Sequence, residues 1–128
     1  MERKIIATAA FFGMTAVILG AFGAHKLKEM LAPEMLSAFE TGVRYQMYHA
    51  LFLLMVGLLP GMNSRAKKAI FWLASLGIVL FSGSIYLLST SKISGVDFKS
   101  IGFVTPIGGL LLIVGWIVLM VNFLTKKS

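Results

Sequence analysis

Most of the residues in this sequence that could do chemistry lie at the start of an apolar segment. They supply a carboxylate, a guanidinium, imidazoles and phenols, which are groups that bind solutes and move protons. Six of them are candidates for one polar site: Glu40, Arg44, Tyr48, His49, His25 and Tyr86. Glu40 and His49 lie on opposite sides of a helix, and no set has a diagnostic ligand or catalytic spacing. We therefore expect no metal site, no cofactor and no enzymatic activity.

Each candidate also has a purely structural interpretation. Glu40 and Arg44 have the i, i+4 spacing of a surface ion pair, which contributes a few tenths of a kcal/mol. Tyr45 and Tyr48 suit the aromatic belt at a membrane surface. A neutral His49 can hydrogen-bond a neighbouring helix, although an ionisable group within a membrane span is also a functional hypothesis by default. At the level of the sequence both interpretations stay open.

The elements that must hold these residues are membrane helices. The chain has 128 residues, of which 58% are hydrophobic and 13% charged, whereas soluble domains average about 25% charged residues. Each of its charge-free segments reaches the roughly 17–25 residues that cross a hydrocarbon core, where only helices satisfy the backbone. These segments are residues 5–24, 45–62, 69–91 and 100–125. The predicted fold is all-α, an integral membrane bundle of four transmembrane helices.

Local signals place the limits of these helices within a single membrane domain, residues 1–128. Pro33 is typical of a first helical turn, so the second helix begins there, with its first turns in the membrane interface. The sequence Leu59-Pro60-Gly61 ends that helix. Thr105 followed by Pro106 is typical of a helix start and opens the fourth helix. The predicted helices cover residues of about 5–24, 34–60, 69–89 and 105–124.

Small residues form a stripe on the first helix. They recur at steps of four and three residues, which places them on one face: Ala9, Gly13, Ala16, Gly20 and Gly23. Small residues let helix backbones approach closely in lipid. We expect this small-residue stripe to pack against another helix, either in the same chain or in a second copy. The second alternative predicts a homo-oligomer.

The net charge of +7 is explained by a membrane rather than by nucleic acid. The positive-inside rule counts Lys and Arg in the connections on each side of the bilayer. Seven lie on the side of the termini: Arg3, Lys4, Arg65, Lys67, Lys68, Lys126 and Lys127. Five lie on the other side: Lys26, Lys28, Arg44, Lys92 and Lys99. The bias predicts a multi-pass protein of the cell membrane with cytoplasmic N- and C-termini, whose partner is membrane lipid, with no nucleic-acid or soluble partner.

The chain has no cysteine, which excludes disulfides, thiolate metal sites and dithiol redox chemistry. Small membrane redox enzymes that use a pair of cysteines are therefore not candidates.

Four blocks of the sequence match a known pattern. They are GAFGAH at 20–25, FETGVRYQMYHAL at 39–51, LFSGSIYL at 80–87, and TPIGG at 105–109 followed by Gly115-Trp116. In these blocks, and over nearly its whole length, the chain resembles the small four-helix integral membrane proteins of domain-of-unknown-function family 423. The resemblance implies a membrane bundle of uncharacterised activity, and it implies no catalytic residues.

The four blocks fall at the same end of the predicted bundle, because the odd helices end there and the even helices begin there. The leading hypothesis is a non-enzymatic membrane protein that acts through helix–helix and lipid contacts. The alternative is a small-solute or ion transporter with its polar site at this outer end. An enclosed, wet cavity around His49 favours the transporter, and a packed hydrogen bond favours the structural role.

Overall fold

The computed structural model describes residues 2–95 and 99–125, apart from the side chains of Lys92 and Lys99. Four long helices make up most of this part of the chain: α1 (Glu2–Phe22), α2 (Pro33–Leu58), α3 (Ser64–Ser89) and α4 (Val104–Leu124). Short helical turns lie between them, at Gly23–Leu27, Lys28–Met30, Ser91–Ser94 and Lys99–Ile101. The described residues contain no strand, and the all-α fold class is confirmed. Lys126 and Lys127, which entered the charge count, lie outside the described residues.

Successive long helices run antiparallel, so the ends of the helices lie together at the two opposite ends of the bundle. The carboxylate of Glu2 in α1 lies 3.4 Å from the ammonium of Lys67 in α3. The side-chain oxygen of Asn122 in α4 accepts a hydrogen bond from the backbone N–H of Asn63 at 3.2 Å. We call this level the proximal end. The distal end is the opposite level, which holds the α1–α2 and α3–α4 connections.

The helices have the lengths and composition of a membrane bundle. Among the described residues, three helical segments are long and apolar enough to cross a membrane: Glu2–Met30, Ser64–Ser89 and Val104–Leu124. α2 is as long as α3, at 26 residues, but its first half is polar. Because α1 ends at the distal end and α3 begins at the proximal end, α2 must carry the chain back across the same thickness. Its polar residues Gln46 and His49 are 4% and 6% exposed, so neighbouring helices rather than lipid surround them.

Local chemistry explains where the helices begin and end. Pro33 is the first residue of α2, a position where its missing N–H costs nothing. Gly61, after the end of α2, has a φ of 79°, a left-handed conformation that glycine adopts without steric cost. The side chain of Asn63 then accepts a hydrogen bond from the backbone N–H two residues later at 2.8 Å. This N-cap starts α3 at Ser64, whereas the apolar pattern predicted a start near Ala69.

The distal connection after α1 stays helical further than the sequence predicted. The first helix was expected to end near residue 24, but helical turns continue to Met30. Leu27 and Leu31 are buried here and form a small apolar cluster with Phe39 of α2. Burial of these side chains stabilises the segment against the start of α2.

The small-residue stripe of α1 packs against α2 of the same chain. Ala16 is 1% exposed. A Cβ added at Gly20 would lie 3.3 Å from the Val43 side chain. One added at Gly23 would lie 3.1 Å from the ring of Phe39. The stripe is therefore covered within one copy, and a homo-oligomer would have to form through another face.

Glycines also bring α3 and α4 close together. A Cβ at Gly108 of α4 would overlap the backbone nitrogen of Phe81 and lie 2.8 Å from the carbonyl carbon of Leu80. One at Gly77 of α3 would lie 2.7 Å from the side chain of Leu112. Backbone atoms cannot move aside as the end of a side chain can, so Gly108 sets the distance between these two helices.

Substitution of Gly108 by alanine tests this close approach. We expect Gly108→Ala to lower the free energy of unfolding by about 1–3 kcal/mol, because the added methyl group overpacks the α3–α4 contact. Gly83→Ala is the matched control, since a Cβ there has nothing within 4 Å. The control should be neutral or stabilising by up to about 1 kcal/mol, the gain in helix propensity. Unfolding in detergent, followed by helical circular dichroism, measures both; equal stabilities would contradict the contact.

Candidate functional site

Gln46 is the centre of a hydrogen-bonded network that joins three helices. Its side-chain nitrogen donates to the backbone oxygen of Phe12 at 2.9 Å and to the hydroxyl of Thr15 at 2.7 Å, both in α1. Its side-chain oxygen accepts from the hydroxyl of Tyr86 in α3 at 2.6 Å. Thr15 in turn donates to a backbone carbonyl of its own helix. The donors therefore point one way, from α3 through α2 into α1, and each bond polarises the next.

A second contact supports the same α2–α3 junction. The hydroxyl of Ser82, which is buried, donates to the backbone oxygen of Gly42 at 2.7 Å. A Cβ at Gly42 would lie 2.8 Å from the Tyr86 ring, so only glycine leaves room for that ring. The ring also packs against Phe39, with centroids 5.0 Å apart. Tyr86 is thus held both by the packing of its ring and by the hydrogen bond of its hydroxyl to Gln46.

His49 forms a separate contact between α2 and α4. The indole nitrogen of Trp116 donates to Nε2 of His49 at 3.1 Å, and Nδ1 of His49 lies 2.8 Å from the backbone oxygen of Tyr45. An indole N–H is a donor only, so Nε2 must accept. The carbonyl oxygen is an acceptor only, so Nδ1 must carry the proton. Both nitrogens of a neutral imidazole are therefore bonded, which is the packed arrangement that favours a structural role.

The remaining candidates lie on the surface. Glu40, Arg44 and His25 are exposed, and Tyr48 is 52% exposed. Arg44 donates to the hydroxyl of Thr41 at 3.1 Å, whereas no ion pair joins it to Glu40 among the described residues. In place of the i, i+4 ion pair that the structural interpretation offered, Arg44 bonds to Thr41, three residues earlier.

The six candidates therefore do not form one site. Tyr86 belongs to the network of Gln46, His49 belongs to the contact with Trp116, and the other four are exposed. In the described part of the chain no three His, Asp or Glu residues are placed to hold a metal ion.

A groove runs between α2, α3 and α4 on the side of the bundle where His49 lies. It has a volume of about 390 Å³ and is open towards the outside of the bundle. Apolar side chains dominate its walls, with a few polar groups among them: Thr41, Tyr45, His49, Phe81, Gly109, Leu112, Ile113 and Trp116. We call it the lateral groove. It differs from the enclosed, wet cavity that would favour a transport site.

At the proximal end, Lys67 has an internal role. Its side chain is 6% exposed, and its ammonium donates to the backbone oxygen of Leu59 at 3.1 Å and contacts Glu2 at 3.4 Å. It satisfies a carbonyl at the C-terminus of α2, where a positive charge is favourable. Lys67 therefore joins helices as well as contributing to the basic proximal end.

Comparison with known protein families identifies the family of this membrane bundle. A family model described as "Protein of unknown function (DUF423)" matches residues 19–109 of the chain. The chain belongs to this family. The match confirms the resemblance of the four sequence blocks, and its range contains Gln46, His49 and Tyr86, whereas Thr15 and Trp116 lie outside it.

Relatives of this family match nearly the whole chain. The UPF0382 membrane protein SSP2132 of Staphylococcus saprophyticus is 45% identical over 120 residues, which cover 94% of this chain and 96% of that protein. UPF0382 membrane protein YwdK of Bacillus subtilis is 42% identical, over 93% of this chain and 94% of its own. A UPF0382 membrane protein of Haemophilus influenzae is 38% identical, over 100% and 99%. No solved structure matches the chain.

Sequence reasoning missed the residues that complete both networks in this DUF423 chain. In the sequence Gln46 stands out only as part of the block at residues 39–51, and Thr15, Ser82 and Trp116 are not among the six candidates. The available signal was Gln46 itself, because an amide within a membrane span needs partners. Its partners lie 31, 34 and 40 residues away in sequence, so no local pattern identifies them.

Gln46 and Tyr86 can be tested by a double-mutant cycle. We expect Gln46→Leu to lower the free energy of unfolding by about 1–3 kcal/mol, because it removes three hydrogen bonds within the membrane. Tyr86→Phe should cost less, because it removes one of those bonds. The double variant should be less destabilised than the sum of the singles, since both remove the same bond. Unfolding in detergent gives all four values.

Tyr48→Phe is the matched control for Tyr86→Phe, because it removes an exposed phenol from the same bundle. It should change the free energy of unfolding by less than about 0.5 kcal/mol. Additive effects of Gln46→Leu and Tyr86→Phe would show that the two side chains do not interact.

Proposed function

We propose that this DUF423 protein is non-enzymatic and acts through contacts of its helices with lipid and with other helices in the membrane. The observation that carries the proposal is the pairing of its internal polar groups. Gln46, Tyr86 and His49 are each hydrogen-bonded to another helix or to their own backbone. Among the described residues, the Ser75 hydroxyl is the one buried side-chain polar atom without a partner. Groups that are paired in this way hold the bundle together, and their donors are already used and not free to bind a solute.

The outer surface supports the same proposal. Large apolar side chains are exposed on each of the long helices, among them Phe11, Leu51, Trp72 and Leu110. In water such a surface would drive aggregation, whereas in a bilayer it contacts lipid chains or apolar helices. The interaction surface of the protein is therefore its membrane-facing side.

The transporter alternative rests on one observation, that His49 lines the lateral groove. A proton-coupled transporter would have to protonate His49 at Nε2. That proton would face the N–H of Trp116, so protonation would break the α2–α4 contact. The packing of His49 thus favours the non-transport role.

Reconstitution into liposomes tests the two functions. We expect wild-type protein to give no faster dissipation of a proton, sodium, potassium or chloride gradient than His49→Ala or protein-free liposomes. A trapped pH dye and ion-selective fluorophores measure the fluxes. A flux in wild-type liposomes that His49→Ala abolishes would overturn the proposal in favour of transport.

We further propose that the protein lies in the cell membrane with its proximal end, and thus both termini, in the cytoplasm. The sequence supports this orientation, because it assigns seven Lys and Arg residues to the side of the termini and five to the other side. The chain has no cysteine, so single cysteines can report it without a background.

Ser64→Cys at the proximal end and Ser37→Cys near the distal end are matched, exposed substitutions. A membrane-impermeant maleimide added to intact cells should label position 37 and should label position 64 only after the cells are opened. The reverse pattern would show the opposite orientation.

A further inference from the structure

The lateral groove follows the direction of the helices. Three of its residues, Thr41, Tyr45 and His49, lie four residues apart and so share one face of α2. At 1.5 Å per residue, they extend over about 12 Å of the helix axis. The groove therefore begins near the distal end and runs inward, roughly in the direction that lipid chains take in a bilayer.

The two ends of the groove differ in chemistry. The inner end is closed by the ring of Trp116, which contacts His49 and packs on Phe52 with centroids 4.1 Å apart. Towards the distal end, the hydroxyl of Thr41 accepts a hydrogen bond from the guanidinium of Arg44 at 3.1 Å. A charged group thus stands at the mouth of a largely apolar channel, as in an amphiphile-binding site.

We propose that the lateral groove binds one acyl chain of an anionic phospholipid whose phosphate contacts Arg44. The proposal rests on the proposed function, because it names the lipid contact through which the protein acts. A guanidinium has five N–H donors, and Thr41 uses one of them. Arginine matches phosphate in charge and geometry, and basic positions beside membrane helices bind anionic headgroups.

Charge and location select this occupant over others. The groove opens sideways from helices that cross the membrane, so lipid chains reach it without passing through water. Gly109 leaves room for a chain, because a Cβ there would meet only the Phe81 ring, at 3.4 Å. Arg44 bonds to Thr41 of the groove wall and also borders a smaller pocket beside Gly20 of α1, whereas Glu40, the acidic side chain nearest in sequence, borders that smaller pocket and not the groove. Among the residues that the structure describes, no acidic side chain lines the groove.

Quenching of Trp116 by brominated lipid tests the proposal. The second tryptophan, Trp72, is removed by Trp72→Phe, so that Trp116 alone fluoresces. The protein is placed in phosphatidylcholine nanodiscs that contain a small fraction of either phosphatidylglycerol or phosphatidylcholine brominated in its acyl chains. We expect the apparent affinity for brominated phosphatidylglycerol to be about fivefold higher, the effect of one basic residue on a charged lipid.

Variants of Arg44 test the contact with the lipid headgroup, and variants of Gly109 test the contact with the acyl chain. Arg44→Gln should remove the preference for phosphatidylglycerol, and Arg44→Lys should retain most of it because the charge remains. Lys28→Gln, which removes another exposed cation near the distal end, should leave the preference unchanged. Gly109→Leu should fill the groove and reduce quenching by both lipids, whereas Gly83→Leu adds the same side chain to open space and should not. Circular dichroism and the unfolding midpoint verify that each variant is folded.

Three results would overturn the proposal: equal quenching of Trp116 by the two lipids, a preference that survives Arg44→Gln, or disulfide cross-linking of two Ile113→Cys copies across the groove. The last would show that a second copy occupies it. None of these results depends on ion flux. If the lipid-binding test fails and the liposomes show no flux, the proposed non-transport function still stands. A flux that depends on His49 would overturn both the non-transport function and the lipid site that rests on it.

Discussion

An amide in the middle of a membrane helix needs partners from other helices, and the Gln46 side chain finds them on both sides. Hydrocarbon offers it no hydrogen bond, so an unpaired amide would cost several kcal/mol. The network through Thr15 and Tyr86 fixes the rotation of α2 about its axis, because any other rotation would turn Gln46 towards lipid. The other contacts of α2 follow from this rotation. His49, three residues on, faces Trp116 of α4, and Gly42, four residues back, faces Tyr86.

Close packing complements these bonds. Gly20 and Gly23 admit Val43 and Phe39 of α2, and Gly108 admits the backbone of α3. Lipid chains are as apolar as leucine, so water does not drive these helices together as it does in a soluble core. Small residues supply dispersion contacts at short range, and the buried polar groups select which faces meet. Small-residue packing and buried hydrogen bonds occur at the same helix–helix contacts, which is why α2, with its polar residues, lies among the other helices.

The apolar surface that remains is the part available for interaction. It is interrupted by the lateral groove, whose inner end carries His49 and Trp116 and whose mouth lies beside Arg44. His49 thus has two roles that are compatible, since one edge of its ring bonds α4 while the side chain forms part of the groove wall.

The sequence by itself determined that the chain is an all-α membrane bundle, because the lengths of its charge-free segments and the need to satisfy the backbone in lipid are local properties. Pro33 and the Leu59-Pro60-Gly61 sequence likewise marked the limits of α2. Only the tertiary structure decided which polar residues act together: Gln46 with Tyr86, and His49 with Trp116, 40 and 67 residues apart. It also showed that the small-residue stripe is covered within one chain. The physical reason is that such partners depend on how each helix is rotated against its neighbours, and that rotation is set by all the contacts of the bundle at once.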